Sequence, residues 1–151
     1  MFRRTLLLCA AGITLLAAPA TAGAKEKIKI GFEKDCPEFT CTGTLLQRSG
    51  APLLGSSVET ALTPLWFEGG VLGYSARETI TRGDSSFTMS LLGVADYNAE
   101  PDVTTVIGSV VEGSWMHRPL TGALVRGSAE RVAGTTFRGL VVITPPRPEM
   151  P

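Results

Sequence analysis

Cys36 and Cys41 stand with four residues between them in the stretch DCPEFTC, residues 35–41. Three chemistries use paired cysteines: thiol–disulfide exchange, metal binding and a structural bridge. The spacing differs from the Cys-x-x-Cys of thiol oxidoreductases. A zinc site needs about four nitrogen, sulfur or carboxylate ligands, and His117 is the single histidine of the chain. No metal and no cofactor are therefore expected. Pro37 suits the second position of a turn over residues 36–39. Such a turn brings the two Cα atoms within the roughly 7 Å that a bridge requires. A structural disulfide is expected, contributing about 2 kcal/mol for so short a loop.

Other side chains suggest chemistry less directly. Gly83-Asp84-Ser85 has the residue types of a serine-hydrolase motif. That chemistry needs a histidine base beside the serine, and His117 falls in a different expected loop. Asp and Ser are also good turn formers, and the same turn accounts for the tripeptide Arg82-Gly83-Asp84. No catalytic residue is assigned. Glu59, Glu78 and Glu112 fall on expected strands; they would act as acids or bases only if they faced a cavity. Trp66, Phe67, Tyr74 and Trp115 supply aromatic area able to line a ligand cavity or to plug a core. His117 and Arg118 could add polarity beside them. These six residues are the candidate ligand-binding set.

The compartment bears on the cysteines. Residues 1–24 hold Arg3 and Arg4, then an apolar run, then small-x-small patterns at Ala20–Ala22 and Ala22–Ala24. This is the layout of a secretory signal peptide. The apolar run is shorter than the roughly 20 residues of a membrane-spanning helix. Export to a bacterial periplasm or the extracellular space is expected, by the general secretory route or the twin-arginine route. Cleavage removes Cys9 and leaves Cys36 and Cys41 in an oxidising compartment, where isolated pairs form disulfides. It also removes two of the 14 basic residues and none of the 14 acidic ones. The mature chain is then slightly acidic, which excludes an electrostatic footprint for nucleic acid and a polybasic hold on a membrane.

The elements that must position these residues are strands. The apolar period is two throughout, with Thr, Val and aromatic residues between glycine punctuation. Residues 27–30, 39–45, 58–62, 71–81, 86–93, 103–115, 120–132 and 136–144 read as strands. Pro64 is expected to end or bend the third. Phe39, Cys41, Gly43 and Leu45 are expected on one face, as are Val103, Ile107, Val111 and Trp115. The pentapeptide GSSVE (residues 55–59) recurs as GSVVE (residues 108–112), a faint echo read as either a duplicated strand set or chance. Glycines inside so many strands favour bends that help a sheet curl and close. The expected fold is all-β: one antiparallel barrel of about eight strands over residues 25–144, with a two-sheet β-sandwich as the alternative. Residues 145–151 are an expected Pro-rich tail.

Residues 134–139, GTTFRG, resemble the glycine-threonine turn and Phe-x-Gly strand of allene oxide cyclase and dirigent-type barrels, with Thr136 where that family's pattern has a second glycine. The resemblance implies an eight-stranded antiparallel barrel and carries no site residue over. The expected function is non-catalytic binding, of a small apolar ligand inside the barrel or of a protein partner on its rim. A cyclase- or isomerase-type barrel enzyme, an inhibitor and a structural envelope protein are the alternatives.

Overall fold

The computed structural model describes residues 26–146. The expected signal peptide, residues 1–24, and residues 147–151 of the tail lie outside the described residues. The period-two alternation folds as strands: β1 (Ile28–Asp35), β2 (Thr40–Leu46), β3 (Ser56–Glu68), β4 (Val71–Arg82), β5 (Ser85–Asp96), β6 (Val103–Trp115), β7 (Arg118–Pro119), β8 (Leu124–Ala133) and β9 (Thr136–Thr144). Every pairing is antiparallel, and β9 returns to β1 while β5 pairs with β6. The sheet closes on itself as an eight-stranded up-and-down barrel. The two-residue β7 is an extra arm folded back on β6. Closure leaves no long edge to pair with another chain, and the sandwich alternative is not what forms.

Two local expectations need correction, in β6 and at Phe39. Of the two outcomes expected at Pro64, it is not the end of β3 that occurs: the strand continues to Glu68 through a register shift between Pro64 and Trp66, the irregularity that bends a strand. A bulge tolerates a residue that cannot donate to the ladder. In β6, Val103, Ile107, Val111 and Trp115 do not share a face: Trp115 is buried, whereas Ile107 and Val111 are exposed. Thr88 pairs with Glu112 and Met89 with Val110, so Val111 is the extra residue of a bulge. One inserted residue exchanges the two faces, which turns Trp115 inward. Phe39 is 55% exposed at the rim, while Cys41 and Leu45 point into the core. The echoed pentapeptides also part company: residues 55–59 open β3, whereas residues 108–112 lie in the second half of β6. At the same offset, however, β4 and β8 start together, at Val71 and Leu124.

The meander puts the β1–β2, β3–β4, β5–β6 and β8–β9 connections at one end and the remaining loops at the other. The second end is solid. Val58, Ile80, Phe87, Met89, Val110 and Ile143 are all but inaccessible there. Trp115 meets Phe87 edge-on, with ring centroids 5.5 Å apart. Leu120 and Ala123, from the segment between β7 and β8, fold into the same core.

Candidate functional site

The opposite end is hollow, because small inward residues stand there, most plainly on β5. On β5 the inward face reads Phe87, Met89, Leu91, Gly93, Ala95 towards that end; on β4 it reads Ile80, Glu78, Ala76, Tyr74. Small side chains leave a cavity of about 150 Å³ reaching the rim at Glu38, Phe39 and Tyr97. An apolar space of this volume takes a molecule about the size of one benzene ring. Its walls include Phe32, Leu62, Leu91 and Phe137.

The floor of the cavity is polar. Glu78 on β4 is only 2% exposed. Its Oε2 forms an ion pair with Lys34 Nζ from β1 and accepts a hydrogen bond from Thr60 Oγ1 at 2.7 Å. Lys34 Nζ also donates to Thr60 Oγ1 at 3.1 Å and lies 4.9 Å from the Phe32 ring centroid. Glycine makes this crossing possible: a Cβ on Gly43 would sit 2.6 Å from Lys34 Cα and 2.7 Å from Lys34 Cβ. A buried charge is tolerated only when paired and hydrogen-bonded. Glu78 Oε2 meets that condition; Glu78 Oε1 is buried with no hydrogen-bond partner.

Nearer the mouth, Tyr74 lies across the bare Gly93, where a Cβ would come 2.2 Å from its ring. Its hydroxyl is hydrogen-bonded to Thr104 Oγ1 at 2.5 Å. Burial pushes the Tyr74 hydroxyl above its ordinary pKa, the negative charge of Glu78 adds to the rise, and the Thr104 hydrogen bond opposes it. Arg131 on β8 caps one side. Its Nη2 pairs with Asp102 Oδ2 at 2.8 Å, its Nη1 donates to Gly134 O at 2.7 Å, and its guanidinium stands 5.2 Å from the Phe137 centroid.

The disulfide Cys36–Cys41 forms, with Cα atoms 4.2 Å apart, and both cysteines line the cavity. It clips the end of β1 to the start of β2. The Cys36 N–H donates to Thr135 O at 2.9 Å, tying this clip to the β8–β9 turn. Asp35 and Thr135 are hydrogen-bonded through their side chains at the same place.

The six expected ligand-contacting residues are not brought together. Only Tyr74 lines the cavity. Phe67 stands at the rim, 6.4 Å from the Tyr97 ring. Trp66 lies outside the barrel over Gly73, in an apolar strip with Leu65, Leu92, Val94 and Ile107. Trp115 is a plug of the solid end. His117 and Arg118 sit on that end's surface, in a tight turn where Met116 and His117 both have positive φ. Of the three acids, Glu59 and Glu112 face solvent, the latter paired with Arg77 at 2.7 Å. Glu78 alone faces the cavity.

Lys34, Thr60, Thr104 and Arg131 escaped the sequence reading. Parity offered one signal: Lys34 shares the inward face of Ile30 and Phe32. Among the described residues, no cluster of His, Cys, Asp and Glu is arranged to hold a metal ion. Nor is any described helix long and apolar enough to cross a membrane. The class defined here is a closed eight-stranded barrel with a half-hollow interior. No family model, curated protein or solved structure matches this chain.

Proposed function

We propose that the barrel is an exported binding protein that holds a small, mainly apolar molecule in its hollow end. The observation that carries this reading is the cavity of about 150 Å³, lined largely by apolar side chains and open at the rim. Sites of this kind, apolar with a few placed polar groups, are the usual form of small-molecule pockets. Export is supported by the signal-like residues 1–24 and is consistent with the disulfide. A binding role asks for no further chemistry from the chain.

Native mass spectrometry of the mature protein, with NMR titration of single-ring compounds, tests the reading. A retained or added compound should perturb the resonances of Ala76, Leu91 and Ala129 and leave those of Phe87 and Ile143 in place. Ala76→Leu, which fills the space, should abolish the effect. Binding that survives Ala76→Leu, or that perturbs only the solid end, overturns it.

One observation favours a cyclase- or isomerase-type enzyme instead: the unpaired Glu78 Oε1 in an apolar cavity has the character of a base. Recovery of a rearranged product after incubation with a bound compound would establish that reading.

A further inference from the structure

The two oxygens of Glu78 are unequally served. A carboxylate offers about four lone-pair sites. Oε2 receives Lys34 and Thr60, whereas Oε1 is buried without a donor. Buried acceptors are nearly always satisfied, and charged ones most of all. Oε1 belongs to a residue that lines the cavity. The occupant of that cavity is therefore the natural source of the missing O–H or N–H.

Charge narrows the chemistry. Lys34 already neutralises Glu78, and Asp102 already neutralises Arg131. The remaining charged residue of the lining, Glu38, is exposed at the rim. An ammonium at Oε1 would place a second cation beside Lys34 in a low-dielectric space, where like charges repel strongly. A carboxylate would meet Glu78 itself; at the mouth the Arg131 guanidinium is already charge-paired with Asp102 and donates to Gly134, and only its buried Nε is left without a partner. Neither a cation nor an anion is matched inside. A neutral donor is, and a hydroxyl is the simplest: it donates to Oε1 and leaves both ion pairs balanced.

We infer that the ligand is an uncharged, compact apolar alcohol or phenol, which enters hydroxyl first and donates to Glu78 Oε1. This rests on the binding reading above and adds the ligand's chemical class and its orientation. Thr60 and Lys34 act as positioning residues: by holding Oε2 they aim Oε1. The Phe32, Leu62 and Leu91 side chains receive the apolar body.

Four single-ring probes test this on the whole mature protein: phenol, toluene, benzoate and benzylammonium, by calorimetry or NMR titration. The phenol should bind about tenfold or more tightly than the methyl isostere and than either ion. Removing only one member of the floor pair risks unfolding the chain, so the variant is the double replacement Lys34→Met with Glu78→Leu. It should keep toluene binding and lose the preference for the phenol. Equal affinity of phenol and methyl isostere in the unaltered protein overturns the inference and leaves the binding reading standing. So does tighter binding of the ammonium or the benzoate, or a phenol preference that survives the double replacement. If none of the four probes binds, the binding reading itself fails.

Discussion

The two ends of the barrel are built from the same eight strands yet solve opposite problems. At the solid end, large apolar side chains from facing strands meet: Val58, Ile80, Phe87, Met89 and Ile143 leave no accessible gap, and Trp115 seals them. At the hollow end the same strands carry Ala76, Gly93, Ala95 and Ala129, with the polar floor of Lys34, Thr60 and Glu78 between the two regions. Eight strands enclose an interior that side chains can just fill. Whether it is filled depends on the size of the inward residues, which on β5 falls from Phe87 to Gly93 and Ala95 towards the rim. Stability is concentrated at one end, and room for a ligand is made at the other.

The largest expected break in this comparison comes from the solid end. Phe87→Ala should destabilise by about 3–5 kcal/mol through the cavity it leaves, read as a lower urea midpoint. If instead it costs no more than an alanine substitution at Leu62, the division into two regions is wrong. The floor should be similarly sensitive in one direction only. Glu78→Ala strands the Lys34 charge and should cost about 3–5 kcal/mol, whereas the paired replacement Lys34→Met/Glu78→Leu should recover most of that loss. A double variant as unstable as Glu78→Ala would show that the floor packs by shape and not by charge pairing.

Smaller effects are expected at the mouth. Replacing both Cys36 and Cys41 by serine should cost about 2 kcal/mol; unreduced mature protein should show no free thiol on alkylation under denaturing conditions. Labelling of both cysteines would remove the clip. The smallest effect concerns Tyr74. Its folded-state pKa is raised above the ordinary value of 10.0, chiefly by burial. The folded protein then holds this proton more tightly than the unfolded chain. The contribution is full below pH 10 and is lost as pH rises through the folded-state value. Tyr74→Phe should cost about 1 kcal/mol at neutral pH, through the hydrogen bond to Thr104. It should also flatten the loss of stability as pH rises above about 10. A variant with the same alkaline slope as the unaltered protein would place that titration elsewhere.

Much of this was legible in the chain, unevenly. The hairpin of β4 and β5 follows from strict alternation on either side of Gly83-Asp84, and the disulfide from two cysteines set around a Pro-containing turn. The taper that makes the cavity was also written in β5, as Phe87, Met89, Leu91, Gly93 and Ala95 on one face. The site itself was not. Trp66 and Trp115 carry equal aromatic weight in the sequence, but bulges set the face on which each one lands. Glu78 was visible as an acid on a strand and indistinguishable from Glu59 and Glu112, because the face of a strand is fixed only when its neighbours are known.

By itself, the sequence determined the all-β class, the near-neutral charge, and the pairing of Cys36 with Cys41. These depend on local alternation, composition and short spacing, which act within a few residues. Tertiary structure decided which end is hollow and which acid is buried. It also brought Lys34 from β1 to Glu78 on β4. Those outcomes depend on closure between β1 and β9 and between β5 and β6, and on single-residue bulges that reverse the inward face, neither of which is marked by a local pattern.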